Sequence, residues 1–199
     1  MPPSRNDRRA VAASTAIFVA GMTISSALYF SGHPVTFGDS VISNFLSPSD
    51  NPRGYLAAAI GTSLAALALA PTTLIFHRRM RAIRSSAATV GTVCYAAGLF
   101  AAIAIGCLAP VHTLDFSAHL ILAYAAFISL QVGISIYLTV AAYGAKSRRF
   151  TMFAALEWVL AISLFALSFG PDWPGSTAFC EWALCATIAA GLWVLSWCN

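Results

Sequence analysis

Of 199 residues, 59% are hydrophobic and 9% are charged. Soluble domains carry about 25% charged residues, so this chain cannot clothe a water-facing surface, and a soluble globular protein is excluded. The formal net charge of +4 comes from 11 Lys and Arg against 7 Asp and Glu. These are too few and too dispersed for the basic, aromatic-interleaved surface of a nucleic-acid binder.

Apolar runs of about 17–25 residues can cross a bilayer as helices. Six such runs follow one another, at approximately 10–30, 55–76, 87–109, 116–143, 150–169 and 179–197. The fourth is long enough to need tilt or protrusion. There is no internal repeat, low-complexity tract or dividing linker. The expected fold is all-α: a six-helix transmembrane bundle, one integral membrane domain over 1–199, with a polar loop cluster on the non-cytoplasmic face.

The first run, "AVAASTAIFVAGMTISSALYF", follows Arg5, Arg8 and Arg9. It is too long for a signal-peptide core, and "SALYF" is a weak mimic of a cleavage site, so it reads as a retained span. The loop after it, residues 31–54, is the longest. Its Val41, Ile42, Phe45 and Leu46 are spaced for a short amphipathic helix on the outer surface. Asp39 or Ser40 can cap that helix. Asp50 or Asn51, ahead of Pro52, suits the start of the second span. Pro71 is expected to kink that span, and His77 to close it as an interfacial residue.

Arg78, Arg79, Arg81 and Arg84 separate spans two and three, and Lys146, Arg148 and Arg149 separate four and five. Arg53 is the one Lys or Arg on the other side. Basic residues stay in the cytoplasm, so both termini are expected there, in a bacterial inner (plasma) membrane. The acids Asp39, Asp50, Asp115, Asp172 and Glu181, with His33, His112 and His119, then face the opposite side.

The second outer loop, "APVHTLDFSAH", places His112, Asp115 and His119 at i, i+3 and i+7. On a helix starting near Val111 they share one face. Two imidazoles and a carboxylate are zinc-type ligands, so zinc is the candidate cofactor; a helix entry with a histidine bonded to a neighbouring span explains the same residues. In the third loop, Ser176 or Thr177 can cap the last span, with Glu181 near its start, where the helix dipole favours a carboxylate. Asp39, Ser43 and Asn44 complete the candidate polar site of Asp39, Ser43, Asn44, His112, Asp115, His119 and Glu181. Serine, histidine and acid are all present, but there is no GxSxG elbow.

Glu157, beside Trp158 in the fifth span, must face the interior and find a polar partner. Tyr95, Tyr124, Tyr137 and Gln131 suit interhelical hydrogen bonds. The tryptophans at 173, 182 and 197 suit interfacial belts. Cys94, Cys107, Cys180, Cys185 and Cys198 show no CxxC or metal-ligand spacing and read as small buried residues; Cys107 and Cys180 can pair if oxidised.

"VISNFLSPSDNPRGYL", "HLILAYAAFISLQ" and "FCEWALCATIAAGLW" resemble segments of the FRAG1/DRAM/Sfk1-like membrane proteins and their bacterial DUF998-type relatives. The resemblance matches Ser43, His119, Gln131 and Glu181 to that family's serine, helical histidine, glutamine and last-helix glutamate. Asn44 stands where the family usually has aspartate; that acid's task passes to Asp39 or Asp50, or is lost. The resemblance implies a role tied to membrane lipids. The expected function is therefore a lipid-associated multi-pass protein whose outer polar site takes a headgroup or a protein partner. The alternative is a metal- or serine-dependent intramembrane lipid hydrolase. A transporter fits less well, since the spans lack midplane charge rings and paired broken helices.

Overall fold

The computed structural model describes residues 5–32, 34–36, 41–109, 116–168 and 176–197. Six helices, α1 (Arg5–Phe30), α3 (Tyr55–Arg81), α4 (Ser85–Leu108), α5 (Phe116–Ala145), α6 (Arg148–Ser168) and α7 (Ser176–Trp197), are long and apolar enough to cross a membrane. This is the build of a multi-pass membrane protein. A short helix, α2 (Ile42–Leu46), lies between α1 and α3.

Neighbours in the chain are neighbours in space. The helices α1, α3, α4, α5 and α7 form a ring, closed by a light α1–α7 contact, and α6 packs outside it against α5 and α7. Without water to drive apolar helices together, close backbone approach supplies the attraction. The α1–α3 crossing illustrates this: a β-carbon at Gly21 would lie 2.8 Å from Gly61 Cα, and one at Gly61 would lie 2.9 Å from Gly21 Cα. Leu74, Phe100, Ile121 and Ile162 are exposed on the bundle exterior, as lipid-facing side chains are. Hydroxyls bond between helices as expected of the tyrosines: Tyr95 Oη lies 2.9 Å from Thr72 Oγ1 and Tyr137 Oη 2.8 Å from Thr92 Oγ1.

The two ends of the bundle close differently. At the end holding the start of α1 and the finish of α7, Asp7 is fully buried and sits 3.4 Å from Arg79. Arg79 also donates to the Leu195 carbonyl at 3.0 Å, and Arg8 to the Ser196 carbonyl at 3.2 Å. The last carbonyls of a helix have no partner within it, and here two arginines from other helices supply one. The Arg8 guanidinium also lies 4.7 Å from the centre of the Trp197 ring.

At the opposite end α2 lies over the ring. Ile42, Phe45 and Leu46 are buried, each stabilising the fold by about 1.5–3 kcal/mol when fully covered. The Phe45 ring meets Tyr29, Phe30 and Trp182. Asn51, 1% exposed, ties the segment down. Its amide donates to the Ser25 carbonyl at 3.1 Å and lies 2.8 Å from Ser25 Oγ, which donates to the Phe45 carbonyl at 3.0 Å.

Several expectations bear on particular residues. The residue ahead of α2 is Val41, with no side-chain cap among the described residues; the expected caps, Asp39 and Ser40, lie outside the described residues. Helix α3 starts at Tyr55 after Gly54 rather than around Pro52, which lies in the preceding turn. Asn51 locks the loop to α1, and its Oδ1 accepts from the Gly54 amide at 3.0 Å. The helix continues through Pro71 to Arg81. His77 is a bonded residue, with Nδ1 2.8 Å from Thr92 Oγ1. Trp182 packs on Phe45 at the head of α7. Cys107 and Cys180 are free thiols.

Candidate functional site

The ring lines a half-open cavity of about 330 Å³ beneath α2, walled by α1, α3, α4, α5 and α7. Small-ligand pockets run from about 300 to 1,000 Å³, so one slender molecule fits. The walls are chiefly apolar, with Phe18, Leu69, Ala102, Phe127, Ala189 and Leu192 among them. Ser43, His119 and Glu181 stand in the lining near the α2 end. From Glu181 to Leu192 the α7 wall runs about 17 Å, at ~1.5 Å rise per residue.

Glu181 is positioned by the first turns of α7. Its Oε2 accepts from the Ile42 amide at 2.7 Å, and the Ser43 amide and hydroxyl bond the same carboxylate. The first amides of a helix lack partners within it. A carboxylate from another helix thus does for α2 what a local Asp or Ser does elsewhere. Glu181 joins α2 to α7 while forming part of the cavity wall. His119, 8% exposed, faces the cavity from α5. Thr62 adds a wall hydroxyl with no hydrogen-bond partner among the described residues.

Of the seven residues expected from sequence, Ser43, His119 and Glu181 therefore share one cavity. Asn44 lies on α2 without lining it. Asp39, His112 and Asp115 lie outside the described residues. Of the three candidate zinc ligands only His119 is described. Among the described residues, no group of three or more His, Cys, Asp and Glu converges to hold a metal ion. Ser14, Thr15, Thr62 and Trp182 also line the cavity and were not anticipated; for Trp182, adjacency to Glu181 was the available signal.

The Ser43 hydroxyl is turned to Glu181, which also accepts two amides. A carboxylate engaged by three donors is suited to holding α2 in place. An apolar chain in the cavity would lie against methyl and ring surfaces, with any polar end meeting His119, Ser43 and Glu181.

Comparison with protein-family models, with curated proteins and with solved structures finds no match to this chain.

Proposed function

We propose that this multi-pass membrane protein binds a membrane lipid, taking one acyl chain into the ring and presenting the headgroup end to His119, Ser43 and Glu181. The observation that carries the reading is the cavity: about 330 Å³, chiefly apolar in its walls, with His119, Ser43 and Glu181 together toward the α2 end. It lies behind α1 and α7, the most lightly packed neighbours in the ring, which is where a chain can enter sideways from the bilayer. The resemblance to lipid-associated membrane proteins points the same way. The one-sided Lys and Arg distribution puts both termini in the cytoplasm, and α2 with the headgroup end at the outer leaflet of a bacterial inner membrane.

A phospholipid with a photoreactive acyl chain tests this in reconstituted protein. Crosslinks are expected at cavity positions such as Phe18 and Ala189, to be competed by unlabelled phospholipid and lost in Ala189→Phe. Crosslinks confined to exterior residues such as Leu74, Phe100 and Ile162, which are 61%, 72% and 63% exposed, would overturn it.

A further inference from the structure

At the end of the bundle opposite α2, two helix connections carry a dense positive charge. Arg81 ends α3 and Arg84 stands immediately ahead of α4; Lys146 lies between α5 and α6, and Arg148 and Arg149 open α6. The two connections are far apart in the sequence, but α4 and α5 pack along each other and bring them together. A β-carbon at Gly144, near the end of α5, would lie 2.6 Å from Ile83 Cδ1. The Arg84 guanidinium lies 6.0 Å from the centre of the Tyr143 ring, at the outer reach of a cation–π contact. The five cations share one corner of the bundle.

Nothing at this corner balances the charge. All five side chains are exposed, and among the described residues none of them is paired with an acid. The sequence has no Asp or Glu over 51–114 or over 116–156. The Asp7 carboxylate at the same end is already taken by Arg79.

Helix electrostatics do not account for these residues. Cations are favoured at helix C-termini and disfavoured at N-termini, yet Arg84, Arg148 and Arg149 stand at the starts of α4 and α6. Lys146 has a φ of 50°, in the left-handed region that favours glycine. Membrane orientation needs Lys and Arg only somewhere in the short loops of one side. It does not need them gathered beside exposed apolar side chains. Here Tyr143 and Ile83, at the ends of spans and next to the cations, are 68% and 39% exposed.

Exposed cations beside exposed apolar side chains complement an amphiphile of opposite charge. We propose that this corner binds an anionic phospholipid from the leaflet at this end, with its phosphate on Arg84, Arg148 and Arg149 and its acyl chains along Ile83 and Tyr143. Arginine presents paired N–H groups that match two phosphate oxygens. A zwitterionic lipid carries its own cation into the cluster, so the corner selects by net charge. None of the five cations lines the cavity, so this site stands or falls independently of the one beneath α2.

Native mass spectrometry of the full chain in detergent reads this, titrated with phosphatidylglycerol or with phosphatidylcholine of the same acyl chains. Each cation near an anionic headgroup strengthens binding about fivefold, so the wild-type protein is expected to hold phosphatidylglycerol at least about tenfold more tightly. The double variant Arg84→Gln/Arg148→Gln should bring the two lipids within about threefold of each other. Arg5→Gln/Arg9→Gln removes the same charge from α1, which packs on α3 and α7, and should leave the preference intact. No preference in the wild type, or equal loss in both double variants, would overturn the proposal. Should a variant fail to fold, the wild-type protein in vesicles still decides. Phosphatidylglycerol with a photoreactive headgroup should crosslink within 81–84 and 143–149. Crosslinks mainly to 5–9, or displacement of the lipid by a short single-stranded DNA, would overturn the assignment.

Discussion

The Glu181 carboxylate lies 2.7 Å from the Ile42 amide nitrogen, so a residue at the head of the last helix holds the first turn of a helix 139 positions earlier in the chain. Removing that acceptor leaves amides at the start of α2 without a partner. Losing a helix cap costs about 0.5–2 kcal/mol. Glu181→Ala is expected to lower the melting temperature by a few degrees, on the order of 2–4 °C per kcal/mol for a chain of this size. It should also speed tryptic cleavage after Arg53, which is exposed beside the segment. Glu181→Gln, which keeps one acceptor oxygen, should show smaller changes in both. An unchanged cleavage rate in Glu181→Ala would mean that α2 stays in place without this bond.

Asn51 gives a second, independent hold on the same segment. Its amide reaches Ser25 and its Oδ1 takes the Gly54 amide. Asn51→Leu fills similar space but strands buried polar groups, at about 1–3 kcal/mol for each left unsatisfied. A fall in melting temperature exceeding that of Glu181→Gln is expected in a thermal unfolding assay. An unshifted transition would remove Asn51 from the lock.

Much of the architecture was legible because lipid imposes a one-dimensional rule: a long apolar run is a span. The run expected at 55–76 starts at Tyr55 as found, and that at 116–143 starts at Phe116. The helix ends were less legible. Asp7 and Arg79 sit in polar stretches that look like solvated tails, yet they join two helix ends in a buried pair. The same limit applied to partners. Glu157 and Gln131 each called for a polar partner, and the structure shows that they are partners of each other. A helical sequence gives spacing along one helix but not its rotation against the next, so which pairs meet is set by packing. That is also why Glu181, legible as a helix-start carboxylate, could not be read as the cap of α2, and why a cavity formed by five helices left no local signature.

The Asp7–Arg79 pair should behave as a buried unit. Asp7 is fully covered, and the Arg79 side chain is 13% exposed. Breaking one side of a buried pair costs about 3–5 kcal/mol, because the other charge is left alone. Asp7→Asn and Arg79→Met are each expected to destabilise strongly, and the double variant should be distinctly less unstable than the two effects added. Strict additivity in a double-mutant cycle of melting experiments would contradict this.

The proposed orientation rests on the Lys and Arg distribution and is testable without a structure. In a cysteine-free background, a cysteine placed at Ser147, between α5 and α6, is expected to resist a membrane-impermeant maleimide in intact cells. It should react once the membrane is opened. A cysteine at Ser49, on the Arg53 side, should react in intact cells. The reverse pattern would put α2 and the cavity mouth in the cytoplasm.

The central claim is that the ring of α1, α3, α4, α5 and α7 holds a lipid. Native mass spectrometry of protein released from lipid nanodiscs measures this most directly, since it counts the lipids that survive removal of the bilayer. The wild-type protein is expected to retain one phospholipid per chain. Ala102→Phe and Ala189→Phe, which fill the cavity from two different walls, should retain none while keeping a cooperative melting transition. Wild-type protein that emerges bare, or filled variants that keep the lipid as the wild type does, would contradict the account.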